Sequence, residues 1–291
     1  MKKKTRILWI ALIVLCVAVF VSYRTLNRLR SDVKPPQITI DAETLSLSVN
    51  DPQDMLLSGL SATDNKDGNV TDSLVVENIQ LLDDTGRISV SYAAFDKAGN
   101  VAKITREAIY TDYVRPRFVL NQPLLFRVGS AFDILTVLDA TDVRDGNIQH
   151  RIRATSLDGS AISTLGSHNV QFQVTNSLGD TVTMVFPVEV YETKTNTATL
   201  ELTDYLIYLN TGDSFHASNY LKSFTLYNEE TSLSSRLPYG FSLKTEGTVN
   251  TSVPGVYPVD YYVTYTERNE NSPEMNRNYD SYSKLIVVVE G

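Results

Sequence analysis

The sequence predicts an all-β chain in which three β-sandwich modules follow one apolar N-terminal helix. Two observations carry this prediction. The stretch A-T-D-N-K-D-G-N-V at residues 62–70 returns 78 positions later as A-T-D-V-R-D-G-N-I at residues 140–148, and recurrence over such an interval is typical of tandem modules. Between the turn-forming stretches, apolar and polar residues alternate in short runs, which is typical of half-buried strands.

The apolar helix is predicted from residues 7–21, which are apolar without a break. At 1.5 Å per residue this run covers about 22 Å. It can cross the roughly 30 Å hydrocarbon core of a bilayer if the basic side chains on both flanks reach the interfaces. We favour an uncleaved transmembrane signal anchor at residues 7–23. A cleaved signal peptide and a lipoprotein signal around Cys16 are the alternatives, although no good cleavage site is present.

The short, strongly basic N-terminus predicts the orientation of the chain in the membrane. We expect a single-pass cell-membrane protein whose C-terminal modules lie on the extracytoplasmic side. The predicted boundaries are a cytoplasmic tail at 1–6, the transmembrane signal anchor at 7–23, a connector at 24–36, and modules 1, 2 and 3 at 37–111, 112–192 and 197–291.

Charge is distributed unevenly along the chain. The formal net charge is −8. Residues 1–34 hold eight Lys or Arg and one acid, a balance of +7, so the rest of the chain carries −15. Because phosphate binding needs a basic face, no nucleic-acid partner is predicted for this acidic body.

Each module has one strand with a clear apolar face, and few residues connect the modules. The connectors at 111–115 and 192–197 reach at most about 20 Å, so successive modules are expected end to end. Many short strands with Gly-containing turns predict β-sandwiches. The residues predicted to face inward are Ile88, Val90, Tyr92 and Ala94 in module 1; His168, Val170, Phe172 and Val174 in module 2; and Tyr257, Val259, Tyr261, Val263 and Tyr265 in module 3.

These motifs carry a family resemblance. The turn A-T-D-N-x-D-G-[ND]-[VI], followed by a strand of the type G-x-Y-x-V-x-Y-x-A-x-D and by x-A-G-N, resembles the bacterial immunoglobulin-like repeat of secreted and surface proteins. The resemblance covers residues 35–191 well and 197–290 weakly. It implies three immunoglobulin-like β-sandwiches but little about a ligand, because such repeats serve as spacers, adhesion modules and accessory domains. Cys16, the one cysteine, leaves no disulfide within the chain, which favours a bacterial surface protein over a eukaryotic one.

The candidate metal ligands are the aspartates of the repeated turn, Asp64, Asp67, Asp142 and Asp145. Two carboxylates three residues apart could contribute to a Ca²⁺ site. We favour a metal-free turn, because Asp side chains bond their own nearby backbone and Gly68 and Gly146 supply positive φ. No metal and no cofactor are therefore predicted. The chain also shows no nucleophile elbow, zinc-ligand spacing or phosphate-binding loop, so no enzymatic activity is predicted.

Tyrosines predict a recognition surface in module 3, which contains 11 of the 16 in the chain. Exposed tyrosine gives large contact area with few rotatable bonds to fix. The last hairpin of this module is predicted to have a polar loop of about 16 residues, with the closing strand beginning near Tyr282. Long loops of this kind are typically functional or disordered, so surface packing and disorder are the alternatives. The predicted binding residues are Tyr262, Arg268, Arg277, Tyr279 and Tyr282.

The functional hypothesis is a non-catalytic surface protein that presents its modules for adhesion or ligand binding, with modules 1 and 2 as a stalk. Its partner would be an extracellular or envelope protein or a glycan. The alternative is a structural subunit or spacer of a bacterial cell-envelope complex.

Overall fold

The computed structural model of the protein describes residues 2–30, 32–41, 44–129, 133–157, 159, 163–192, 198–269 and 275–291. Most of the predicted connector 192–197 and the middle of the predicted loop in module 3 lie outside these residues. Helix α1 spans Lys2–Arg30. The connector predicted at 24–36 is therefore helical from residue 24 to residue 30. The helix segment Arg6–Leu26 is long and apolar enough to cross a membrane, since 21 residues cover about 31 Å.

Each module repeats one plan, a three-stranded antiparallel sheet packed against a four-stranded sheet. One edge strand of the larger sheet runs parallel to the last strand of its module. The chain is thus an all-β protein of three tandem immunoglobulin-like β-sandwiches behind one apolar helix. Module 3, whose sequence resembles the others only weakly, keeps the same seven-strand order.

The strands of module 1 form the sheets β1-β3-β4 and β2-β7-β6-β5. Short 3₁₀ turns at Gln53–Leu57 and Thr71–Ser73 connect the two sheets. The strands are β1 Gln37–Ile40, β2 Thr44–Leu47, β3 Leu60–Asp64, β4 Gly68–Asn69, β5 Val75–Leu81, β6 Arg87–Phe95 and β7 Val101–Tyr110.

Module 2 has the sheets β11-β10-β8 and β12-β13-β14-β9. Its strands are β8 Arg117–Leu120, β9 Leu125–Arg127, β10 Leu138–Asp142, β11 Gly146–Asn147, β12 Arg153–Ser156, β13 Gly166–Thr175 and β14 Thr181–Tyr191. The 3₁₀ turns lie at Ile134–Thr136 and Gln149–Arg151.

Module 3 has the sheets β15-β17-β18 and β16-β21-β20-β19. Its strands are β15 Ala198–Leu202, β16 Leu206–Asn210, β17 Leu221–Leu226, β18 Glu229–Ser232, β19 Phe241–Glu246, β20 Gly255–Glu267 and β21 Arg277–Glu290. A 3₁₀ turn lies at Ala217–Tyr220.

The predicted inward faces form the cores of the sandwiches. His168 is buried as predicted, and its Nε2 lies 2.7 Å from the carbonyl oxygen of Thr164. In module 3, Tyr257 and Tyr265 are only partly buried but pack against the core cluster. All the other predicted core residues are buried, namely Ile88, Val90, Tyr92, Ala94, Val170, Phe172, Val174, Val259, Tyr261 and Val263.

One apolar cluster extends from module 2 into module 3. Ile286 and Val288 of β21 are buried in the same cluster as Phe118 of β8. The hydroxyl of Tyr208 accepts a hydrogen bond from the Phe118 backbone N–H (2.9 Å) and donates to the carbonyl oxygen of the same residue (3.2 Å). These residues lie on the outer face of the four-stranded sheet of module 3, since the neighbouring positions Val287 and Val289 point into its own core.

Charged groups also contribute to the contact between modules 2 and 3. Lys284, whose side chain is 5% exposed, lies 2.7 Å from Glu189 of module 2 and 3.4 Å from Asp260. Arg117 pairs with Glu290. Residues 114–291 accordingly form one compact unit, and residues 1–113 form another. The sequence predicted modules that lie end to end but did not predict this shared core of modules 2 and 3.

Candidate functional site

The hairpin of β20 and β21 carries six of the eleven tyrosines of module 3. Its ladder runs from Gly255 paired with Val289 to Glu267 paired with Arg277. The end at Val289 lies next to the contact with module 2. Twelve residue steps of about 3.4 Å place the other end about 40 Å away. We call the end at Glu267 and Arg277 the distal end of the hairpin.

The predicted start of the closing strand is wrong. β21 begins at Arg277, not near Tyr282. Polar side chains pair across the two strands: Thr264 Oγ1 donates to Asp280 Oδ1 (2.7 Å), and Thr266 Oγ1 donates to Asn278 Oδ1 (2.9 Å). Asn278 and Asp280, which belong to the polar sequence that predicted a loop, therefore stand in a solvent-facing row of the sheet.

Tyr262 and Tyr282 are direct cross-strand partners on the outer face of the sheet. Their ring centroids lie 5.0 Å apart, and the ammonium of Lys244 lies 5.9 Å from the Tyr262 ring. The Tyr282 hydroxyl donates to Asp260 Oδ1 (2.6 Å). Burial, and then this hydrogen bond, raise the pKa of Tyr282. Tyr282 is thus a neutral packing partner that is partly buried, whereas Tyr262 has 37% of its surface exposed.

The other three predicted residues lie at the distal end, together with two tyrosines that the prediction missed. Tyr279 faces the core side of the sheet, and its ring meets Tyr227 edge-on at 5.7 Å. The guanidinium of Arg268 lies 4.9 Å from the ring centroid of Tyr239. We call this group the tyrosine end; it consists of Tyr227, Tyr239, Tyr265, Tyr279, Arg268 and Arg277.

Tyr227 and Asn228 form the two-residue turn between β17 and β18. Both have positive φ, 49° and 68°, which is the geometry of a type I′ turn. Asn-Gly is the usual occupant, and a non-Gly residue in this region costs about 1–3 kcal/mol. Tyr227 nevertheless occupies it, with 62% of its surface exposed, while Tyr239 is 79% exposed. A strained, exposed aromatic of this kind is a signal that no sequence periodicity reports.

The repeated acidic turn forms a second candidate site in module 1. Asp64 Oδ1 accepts hydrogen bonds from the backbone N–H groups of Lys66 (2.7 Å) and Asp67 (2.9 Å). The bonds from Asp67 and Lys66 lower the pKa of Asp64. Gly68 closes the turn with a φ of 72°. This is the self-bonded turn that the sequence predicted, and its carboxyl is ionised at neutral pH.

Two further aspartates join this turn in space. Asp67 Oδ2 accepts from the Lys97 backbone N–H (2.9 Å), which ties the turn to the hairpin loop that begins at Asp96. Asp32, two residues after the end of α1, also reaches the group. One carboxylate oxygen each from Asp32, Asp64, Asp67 and Asp96 lies within 4.8 Å of the others. Asp32 and Asp96 were not among the predicted candidates.

The equivalent corner of module 2 has different partners. Asp142 Oδ1 accepts from the backbone of Arg144 and Asp145, as in module 1. Its Oδ2, however, accepts from the side-chain amide of Asn176 (3.0 Å). Asp145 accepts from the Ser177 hydroxyl (2.6 Å), and its Oδ2 lies 2.7 Å from Arg151.

Module 2 also has an open, mainly polar groove of about 490 Å³. Its lining includes Arg151, already paired with Asp145. The other lining residues are His150, Ile152, Arg153, Gln173 and Thr175.

Comparisons with known proteins identify no family for this chain. No family model matches it. The "Uncharacterized 81.3 kDa protein" of Acholeplasma phage L2 is 33% identical over 161 residues, which are 55% of this chain and 20% of that protein. The chain thus spans about a fifth of the length of this relative, whose name states no activity.

Solved structures show only a distant likeness. The CBM51-2 and INT domains of Clostridium perfringens ZmpB, in complex with GlcNAc, match 53% of this chain and 26% of that chain, with 17% identity and a TM-score of 0.21. Drosophila N-cadherin EC1-4 matches 90% of this chain and 76% of that chain, with 13% identity and a TM-score of 0.21. Because these scores are low, the fold class rests on the sheets described above.

Proposed function

We propose that this chain is a membrane-anchored bacterial surface protein that presents the tyrosine end of module 3 to an extracellular or envelope partner, a protein or a glycan. Helix α1 serves as the uncleaved anchor at residues 7–23, residues 1–6 lie in the cytoplasm, and the three modules lie outside. The modules belong to the bacterial immunoglobulin-like repeats, and no catalytic activity is assigned to them.

The observation that carries the proposal is the exposure of Tyr227 and Tyr239 at the distal end of the hairpin. Aromatic and arginine side chains supply most of the energy at protein interfaces, and here an arginine lies over a tyrosine ring. Seven residue steps, about 24 Å along the ladder, separate this end from Lys284, which pairs with Glu189 of module 2. A partner can therefore approach this end without displacing the module 2 contact.

Topology is tested first, with protease added to intact protoplasts that express the full chain. The proposal expects digestion of all three modules and survival of a short fragment that contains α1. Full protection of the modules would reverse the proposed orientation.

Binding is tested with the full chain in lipid nanodiscs against arrays of glycans and of surface proteins. For a bound partner, Tyr239→Ala with Arg268→Ala is expected to lower affinity about 30-fold, which corresponds to about 2 kcal/mol. Tyr191→Ala is the matched control, because Tyr191 is exposed at the end of a strand in module 2. If the double variant binds as tightly as the parent chain, the tyrosine end is not the recognition surface, and a structural or spacer role in an envelope complex is favoured.

A further inference from the structure

Four carboxylates converge at one corner of module 1, and their geometry suits one metal ion. The oxygens of Asp32, Asp64, Asp67 and Asp96 lie within 4.8 Å of one another. Because a Ca–O bond is about 2.3–2.6 Å, two oxygens on opposite sides of Ca²⁺ are at most about 5 Å apart. For Mg²⁺, with bonds of about 2.0–2.1 Å, the limit is about 4.2 Å. The upper bound of 4.8 Å is compatible with Ca²⁺. Four carboxylates in one site also suit Ca²⁺ better than Mg²⁺, which usually keeps several waters and binds through one or two carboxylates.

One aspartate of this cluster, Asp64, has a buried oxygen without a partner; the equivalent oxygen of Asp142 in module 2 faces Asn176, the counterpart of Asp96. Asp64 is 91% buried, since 9% of its surface is exposed. Its Oδ1 holds two backbone N–H groups, but its Oδ2 is buried with no hydrogen-bond partner. Asp32 Oδ2 is in the same state. A buried charged oxygen without a hydrogen-bond partner destabilises the fold, and a bound cation would compensate both oxygens.

Two lysines lie near these four carboxylates, and two ammonium groups cannot balance four negative charges. The charge of Lys66 contributes to lowering the pKa of Asp64. The ammonium of Lys97 lies 3.6 Å from Asp67, but its side chain is 83% exposed and screened by water. Asp96 is already bonded to the backbone N–H (2.7 Å) and side-chain amide (2.6 Å) of Asn100. These bonds fix the direction of Asp96 without neutralising the cluster.

Module 2 supplies an internal comparison, because the same turn lacks the unpaired oxygen. Asn176 stands 80 residues after Asp96, and its amide bonds the oxygen of Asp142 that corresponds to the unpaired one. Arg151 and Arg115 pair with Asp145 and Asp180. Among the described residues of module 2, no buried carboxylate oxygen is left without a partner.

We propose that module 1 binds one calcium ion between Asp32, Asp64, Asp67 and Asp96, whereas module 2 holds the same corner together with an amide and two guanidinium groups. The sequence alone favoured a metal-free turn in both modules. The structure distinguishes the two turns, because unpaired carboxylate oxygens are present at the turn of module 1 and, within the described residues 133–157, not at that of module 2. Second carboxylate oxygens and water complete the six to eight ligands of Ca²⁺. Because Asp32 follows α1 so closely, the ion also fixes the start of module 1 to the chain that leaves the helix.

The test uses the full chain in nonionic detergent, stripped of metal with EDTA and titrated with CaCl₂ by calorimetry. One ion per chain is expected. Asp96→Asn, which places the residue of module 2 in module 1, is expected to abolish binding. The matched control Asp142→Asn keeps the stoichiometry at one. Far-UV circular dichroism confirms that both variants fold, and Asp32→Asn provides a second removal at a position outside the sandwich.

Two further readouts sharpen the result. At a free Ca²⁺ concentration of 100 times Kd, the folded-to-unfolded ratio of module 1 is expected to rise about 100-fold, as measured by hydrogen exchange of its amides. Mg²⁺ at equal concentration is expected to leave exchange unchanged. Absence of binding at millimolar Ca²⁺, binding that survives Asp96→Asn, or an equal response to Mg²⁺ would each overturn the proposal.

Discussion

Modules 1 and 2 fold the same acidic turn and compensate its charge in different ways. In both, an aspartate at the start of the turn accepts two backbone N–H groups through one oxygen. In module 2 the second oxygen accepts from Asn176; in module 1, Asp96 stands at that place in the hairpin and Asp64 keeps an unpaired oxygen. The residue at this position of the neighbouring hairpin thus decides whether the second oxygen of the turn aspartate has a hydrogen-bond donor.

The difference shows that a turn motif specifies backbone more strongly than it specifies ligand. Asp, Gly and the self-bonded carboxyl are sufficient to form the turn. Whether the turn also serves as part of a metal site depends on residues about 30 positions away in sequence. The same motif can therefore be a plain turn in one module and a ligand cluster in the next.

The strongest way to break the comparison is Asn176→Asp in module 2. This change removes the amide that bonds Asp142 and sets two buried carboxylates against each other. A loss of about 2–4 kcal/mol in the free energy of unfolding is expected, because an uncompensated buried charge is costly. Hydrogen exchange of amides in β10 and β13 of the full chain measures it in the presence of EDTA.

The matched change in module 1, Asp96→Asn under the same conditions, is expected to slow exchange in β3 and β6, since it removes one of four clustered negative charges. Equal destabilisation of both modules would show that the two corners are compensated alike.

The sandwich cores could be predicted from the sequence because strand alternation maps directly onto burial. Alternate residues of a strand share one face, whichever residues begin and end the strand. The buried pairs Val90 and Tyr92, and Val170 and Phe172, follow this rule. The shared core of modules 2 and 3 could not be predicted. Ile286 and Val288 belong to a continuous apolar run, which does not reveal that its second face meets another module.

The candidate sites were predicted only in part. Asp64 and Asp67 stand out because their motif repeats, but Asp32 lies outside every repeat and joins them only through folding. Asp96 and Asn176 occupy equivalent positions in the hairpins of modules 1 and 2, so an alignment of the two modules shows the difference between them. At the distal end, Arg268, Arg277 and Tyr279 were predicted, while the left-handed turn at Tyr227 depends on backbone geometry that composition does not encode.

A second, smaller effect is expected at Arg115 in module 2. Its guanidinium makes two bonds to the buried carboxylate of Asp180, at 2.8 and 3.1 Å. In module 1 the corresponding positions hold Pro35 and Asn100, an uncharged pair. Arg115→Met is expected to cost about 1–2 kcal/mol, measured by the same exchange experiment.

A double variant checks that the ion pair is responsible. Adding Asp180→Asn to Arg115→Met makes the pair uncharged, as in module 1, and most of the lost stability is expected to return. If the double variant is as unstable as the single one, packing of the Arg115 side chain accounts for the loss instead.

The smallest effect is the acid response of module 2 through Asp145. Burial acts to raise the pKa of Asp145, but hydrogen bonds from Ser177 and the nearby Arg151 outweigh it and hold the pKa below its ordinary value. A carboxyl whose pKa is lower in the folded state stabilises the protein above its unfolded pKa of about 4. That contribution is lost as pH falls through the lower, folded value.

Module 2 is therefore expected to lose stability on acidification below about pH 4. The change is expected to be smaller than the loss caused by Asn176→Asp or by Arg115→Met. Asp145→Asn removes this pH-dependent contribution, so stability between pH 2 and 4 falls less steeply than in the parent chain. Ser177→Ala keeps the backbone donor and removes only the hydroxyl at 2.6 Å, so its pH profile lies between the two. Exchange rates in β10 and β11 measured across this range provide the check. A parent chain and an Asp145→Asn variant with parallel profiles would place the acid sensitivity of module 2 at another carboxyl.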